Sequence, residues 1–206
     1  MITIHLREDR RHIIDADVKN LMSANILPIN LEIAATDEML DIAIENKPHS
    51  VCFVPEKRLE LTTETGLNVV QNFELLKSYI QKLKAKNILT TAFVDPEIEQ
   101  IKAVKECNFD AIEIHTGDYA NSSGIELGKI LDSIKSSAEY AKSHGLEVHA
   151  GHGLTYENVP QLLQYVPEIS CLNIGHFIVC EAVFVGLHEA TRQMLRVMTR
   201  ELCDQY

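Results

Sequence analysis

Ile2-Thr3-Ile4-His5-Leu6-Arg7 runs straight into Glu8-Asp9-Arg10-Arg11-His12, and the alternation at the start of this stretch decides how the rest of the chain reads. Successive side chains of a strand point to opposite faces. Ile2, Ile4 and Leu6 therefore share one face, and Thr3, His5 and Arg7 share the other. A strand with an imidazole and a guanidinium on one face, ending in more of both, is poorly matched to a plain core. It suits the floor of a site that handles anions and moves protons, although an exposed edge strand with a charged loop gives a similar pattern. The recurrence of the pattern favours the site. Asn30 and Glu32 interrupt Ile29, Leu31 and Ile33; Glu113 and His115 interrupt Ile112 and Ile114; His149 and Asn173 sit in two later strands.

Between these strands the periodicity switches to that of helices. Asp15 or Asp17 caps a helix reaching about Ala24, and Thr36-Asp37-Glu38 opens a second through about Glu45. Ser50 to Val54 is a short apolar strand stopped by Pro55, and a loop runs to Gly66. Phe73, Leu76, Ile80 and Leu83 mark a buried helical stripe. Ile88 to Val94 is a strand, and Asp95-Pro96-Glu97 reads as a cap with proline at the first helical position. A loop from Gly117 to Gly124 follows the strand Ala111 to His115. A helix then reaches Ser143, with Leu127, Ile130, Leu131, Ile134 and Ala138 on its core side. Glu147 to Gly151 is a strand, Thr155 to Val166 a short helix, and Cys171 to Gly175 the last strand. Helical segments from about Phe177 and from Leu187 to about Leu202 complete the chain.

Strict strand–helix alternation implies a parallel α/β architecture. The central strands of an open doubly wound sheet are apolar on both faces, and none here is so along its whole length. A single TIM-type (β/α) barrel domain over residues 1–206 fits better. Seven of its eight units are counted here, where a complete barrel has about 250 residues. The first β-α unit is the one expected to be missing.

Composition narrows the function. A formal net charge of -11 argues against a large nucleic-acid footprint, while Arg7, Arg10 and Arg11 leave room for a local anion site. No apolar run is long enough to span a bilayer, and no signal-peptide pattern is seen. The 5 cysteines, with no CxxC pair, suit reduced thiols in a cytoplasmic protein.

In a parallel barrel the active site lies at the C-terminal ends of the strands. His5, Arg7, Glu32, Glu113, His115, His149, His152, Asn173 and Gly175 reach that end. Burying so much unpaired polarity is costly, so a functional pocket is expected there. His5, Glu32 and His152 make a set of acid and base groups. Ligation of a metal by the same His and Glu residues is open on spacing, although no HExxH or His-x-His signature supports it. Gly151-His152-Gly153 and Asn173-Ile174-Gly175-His176 lie where barrels bind phosphate, in the loops after the last two strands.

Seven stretches carry a family resemblance. They are His5 to Ile13, Asn30-Leu31-Glu32, Val54-Pro55-Glu56-Lys57-Arg58, Leu61-Thr62-Thr63-Glu64, Ile112 to Gly117, Ala150 to Thr155 and Leu172 to His176. Together they resemble the pyridoxine 5'-phosphate synthases of vitamin B6 biosynthesis. The resemblance implies condensation of 3-amino-2-oxopropyl phosphate with 1-deoxy-D-xylulose 5-phosphate, without cofactor or metal, by a cytoplasmic homo-oligomer, an octamer in the family. It implies acid/base roles for His5 and Glu32, proton donation by His152 and charge stabilisation by Glu113. Arg7, His12 and Thr62 then hold the deoxyxylulose phosphate; Gly153, Gly175 and His176 hold the aminoketone phosphate. Two departures stand out: the absent first β-α unit, and Cys180-Glu181 where the family usually shows Gly-Arg. The alternatives are a non-catalytic family member that keeps phosphate binding or an oligomer interface, and a metal-dependent TIM-barrel hydrolase.

Overall fold

The structure, a computed structural model, describes residues 1–56 and 65–199. Among them, seven strands form one parallel sheet in sequence order: β1 (Ile2–His5), β2 (Ile29–Ile33), β3 (Ser50–Phe53), β4 (Leu89–Val94), β5 (Ala111–His115), β6 (Glu147–Gly151) and β7 (Cys171–Asn173). The helices between them are α1 (Asp15–Ala24), α2 (Asp37–Asn46), α3 (Phe73–Lys84), α4 (Ile98–Glu106), α5 (Gly117–Asn121), α6 (Gly124–Ser143) and α7 (Val159–Tyr165); α8 (His176–Val185) and α9 (Leu187–Met198) follow β7.

Register fixes what faces inward. His5 lies beside Glu32 and Glu32 beside Cys52; Glu113 lies between Phe93 and His149; Gly151 lies between His115 and Asn173. The alternate residues, Leu31, Ile33, Val51, Phe53, Ile112, Ile114 and Val148, are buried against the helices in one continuous core. The stripes read from α3 and α6 take part: Leu76, Ile80, Leu83, Leu131, Ile134 and Ala138 are buried, with Phe73, Leu127 and Ile130 packed at the margin.

The inside of the barrel is mostly polar. Ser50 Oγ donates to Asn30 Oδ1 (2.7 Å), Asn30 Nδ2 to Thr3 Oγ1 (3.4 Å), and Thr3 Oγ1 to Asn173 Oδ1 (2.9 Å). Asn173 Nδ2 then donates to Glu113 Oε2 at 2.7 Å. This relay runs from β3 through β2 and β1 to β7 and β5. It links the first and last strands by side chains where, among the described residues, no strand pairing joins them. The barrel is therefore nearly closed, and its interior hydrogen bonds satisfy groups that would otherwise be costly to bury. Cys52, Val54 and Phe93 form a small separate apolar cluster.

Several local expectations are corrected. Gly117 to Asn121 is a short helix, not loop. The segment expected to be helical from Thr155 becomes so only at Val159. At α1 the N-cap is Ile14, whose N–H is accepted by Asp17 Oδ2 at 3.0 Å, so neither aspartate is the cap itself. Thr36 caps α2 as expected, accepting from the Met39 N–H. Asp95 does not cap α4; Glu97 stands at that position. The last helix ends at Met198 within the described residues.

α8 is nearly all apolar yet buries no residue: Val183 is 79% and Phe184 85% exposed. No helix among the described residues is long and apolar enough to cross a membrane.

Candidate active site at the C-terminal rim of the barrel

Because the strands are parallel, their C-terminal ends share one rim, and His5, Glu32, His115 and Gly151 lie there. His5 Nδ1 is 3.8 Å from Glu32 Oε2, and His5 Nε2 is 3.5 Å from Glu56 Oε2. Burial, helped by the Arg7 charge, lowers the His5 pKa to about 4. The ring is thus neutral at neutral pH and free to take a proton.

The two buried carboxyls both shift upward, the opposite direction to His5. Burial raises the pKa of Glu32, and burial with the nearby Glu32 charge raises that of Glu113. Two carboxylates so placed cannot both ionise cheaply, so the pair holds a proton near neutrality. Cys52 Sγ and Asn173 Nδ2 both approach Glu113 Oε2, at 3.8 and 2.7 Å. Burial and these carboxyls push the Cys52 thiol well up.

Gly151 makes room for Glu113: a Cβ here would lie 2.1 Å from Glu113 Oε1. The next residue, His152, has φ +83°, a left-handed conformation that costs a non-glycine residue about 1–3 kcal/mol. The Thr116 hydroxyl bridges the turn, 2.7 Å from both the Gly151 and the His152 carbonyl oxygens. Gly153, at φ +74°, passes so close to α5 that a Cβ would meet Ala120 Cβ at 2.5 Å. The His152 ring packs on His115, with centroids 5.0 Å apart. His115 is held in turn by Asp95, 3.0 Å from Nδ1, and by the edge of Phe93.

The structure therefore brings His5, Glu32 and Glu113 into one electrostatic group, with His152 at the same rim, packed on His115. Arg7 is buried and faces Asp9 and Glu56. Gly175 is the N-cap residue of α8, and His176 is its first residue. The first N–H groups of such a helix have no partner within it and suit an anion. His12 is exposed on the β1–α1 loop, near enough for its charge to lower the His5 pKa. Thr62 lies outside the described residues. His149 does not join the rim group: its Nε2 pairs with Glu147 Oε1 at 3.5 Å, one pleat nearer the other end of β6.

The arginine cluster is less free than the sequence suggests. Arg10 binds Asp15 and Glu38, and Arg11 binds Asp9. Two carboxylates beside the rim were given no site role from sequence. Asp95 read as a helix cap, and Glu56 lay in a motif quoted only for family likeness. The signal for Asp95 was its place just past a strand end. Among the described residues, no three His, Cys, Asp or Glu side chains converge in a way that could hold a metal ion.

The family model described as pyridoxal phosphate biosynthesis protein PdxJ matches residues 1–200. The chain belongs to this family. It is 51% identical over 200 residues to the pyridoxine 5'-phosphate synthase of Sulfurihydrogenibium sp., covering 96% of this chain and 82% of that protein. The synthase of Zymomonas mobilis is 51% identical over 197 residues, with 96% and 77% covered. That of Ehrlichia canis is 50% identical over 198 residues, with 96% and 81% covered. Family membership rests on nearly the whole barrel, so the rim described above lies within the matched region.

Proposed function

We propose that this chain is a pyridoxine 5'-phosphate synthase. It joins 3-amino-2-oxopropyl phosphate to 1-deoxy-D-xylulose 5-phosphate, releasing phosphate and two waters. The observation that carries the reading is a neutral imidazole, His5, 3.8 Å from a carboxyl group, Glu32, whose pKa burial raises. Imine formation, elimination and ring closure each move protons, and a base and an acid of this kind serve both directions. In this reading His5 and Glu32 exchange protons with the condensing chain, and His152 donates to a leaving oxygen. Glu113, deeper in the barrel, stabilises developing positive charge when ionised. Arg7 and His12, with Thr62, hold the deoxyxylulose phosphate. Gly153, Gly175 and His176 present backbone N–H groups and an imidazole to the aminoketone phosphate at the α8 N-terminus. The enzyme works in the cytoplasm as a homo-oligomer, an octamer by family likeness, and the exposed apolar residues of α8 support association.

The test is turnover by the 206-residue chain with both substrates, following pyridoxine 5'-phosphate and phosphate together, with His5→Gln as control. Equal release of both products, lost in the control, supports the reading; bound substrates without product overturn it. A second reading, binding without turnover, is favoured by the lack of β1–β7 pairing among the described residues. It is tied to the proposal that an eighth β-α unit, placed between these strands, belongs to the complete barrel.

A further inference from the structure

Glu56 has no part in the roles above, yet its side chain is enclosed, 1% exposed. It sits just beyond β3, after Val54-Pro55. Its Oε1 accepts the Glu8 N–H at 2.9 Å and lies 3.8 Å from Arg7 Nε. Among the described residues its Oε2 has no hydrogen-bond partner, and neither has His5 Nε2, 3.5 Å away; both atoms are buried. Two orphaned polar atoms facing each other at this distance need explaining, because an unpaired buried polar group is costly. Hydrogen bonds in a catalytic group are often long before substrate binds and shorten afterwards. On the other side of the ring, His5 Nδ1 faces Glu32. The imidazole thus stands between two carboxyl groups, one for each nitrogen.

We propose that Glu56 is a positioning residue for His5: it takes the Nε2–H and so fixes the tautomer that leaves Nδ1 bare toward Glu32. A neutral imidazole carries one proton, and its place decides which nitrogen can act as base. Burial raises the Glu56 pKa, and the Glu8 N–H and the Arg7 charge offset part of that rise by favouring the charged form, the form that accepts this proton. Glu32, when it holds the proton that it shares with Glu113, is the matching donor to Nδ1. The inference rests on the reading of His5 as the base. The charged and titratable groups around His5 are Glu32 from β2, Glu56 from the segment after β3, and Arg7, Asp9 and His12 from the segment after β1.

The experiment is nitrogen NMR of 15N-histidine-labelled protein at neutral pH, with the His5 signals assigned by their loss in His5→Gln. It needs no turnover, so it fails or succeeds independently of the proposed activity. The wild-type protein is expected to show Nε2–H with Nδ1 unprotonated; the reverse tautomer overturns the proposal. In Glu56→Gln, which keeps an acceptor for the Glu8 N–H, the single tautomer gives way to a mixture. In the kinetic assay the same variant lowers kcat about 10–100-fold and leaves both KM values within about twofold. Its acidic limb moves to lower pH, because His5 has lost an anionic neighbour. An unchanged tautomer and unchanged pH profile in both Glu56→Gln and Glu56→Asp show that the carboxylate only supports the loop.

Discussion

A close constraint on the rim is the space above Glu113, and Gly151→Ala tests it. The added Cβ would stand 2.1 Å from Glu113 Oε1 and 3.1 Å from the Asn173 carbonyl oxygen. Ordinary contact begins near 3.4 Å, so the carboxyl must retreat by about 1.3 Å. Retreat breaks the 2.7 Å hydrogen bond from Asn173 Nδ2, and with it the link from β5 to the Thr3–Asn30–Ser50 relay. Overpacking of this kind costs about 1–3 kcal/mol, which for a domain of this size lowers Tm by about 2–4 °C per kcal/mol. A displacement near 1 Å in a reacting group lowers kcat about 100-fold. The control is Gly128→Ala in α6, where a Cβ meets nothing within 4 Å; there the helix gains about 0.5–1 kcal/mol. Thermal melts and steady-state turnover of both variants decide the matter. A Gly151→Ala protein as active and as stable as the Gly128→Ala control refutes the account of Glu113 as a tightly held group.

Three further outcomes follow from the same geometry. Glu113 binds its proton more tightly folded than unfolded, so its contribution to stability is lost as pH rises from the usual carboxylate range past neutrality. Glu113→Gln should therefore melt above wild type near pH 9, with the gap closing near pH 4; a constant gap in a pH series of melts counts against the buried-carboxyl reading. Asp95→Asn removes the charge that holds His115 Nδ1, yet leaves an acceptor for the Gly66 N–H at 3.0 Å. It should lower kcat roughly 10-fold, about 1.4 kcal/mol, by loosening the His115 ring beneath His152. Wild-type turnover in that variant would detach His115 from the chemistry. Cys180 is exposed, whereas Cys52 and Cys107 are buried with thiol pKa values pushed up by burial. Mass spectrometry after brief alkylation should find Cys180 modified and those two untouched until denaturant is added.

The alternation Ile2-Thr3-Ile4-His5 and its echoes at Asn30, Glu32, Glu113 and Asn173 sufficed for the barrel and its polar lining. Side-chain direction in a strand follows from backbone geometry, and parallel strands bring their ends to one rim. For the same reason His5, Glu32, Glu113 and His152 could be grouped before any coordinates. Local sequence misassigned Asp95, because Asp-Pro looks alike whether the carboxylate caps a helix or reaches a histidine 20 residues away. It was equally silent on Glu56, whose partners lie on β1 and just after it. Only the packed structure decides these cases: what a carboxylate does depends on which charges and N–H groups surround it and how much water is left. Those surroundings come from distant segments meeting in space. The chain's periodicity sets which way each side chain points; burial and neighbours set its protonation.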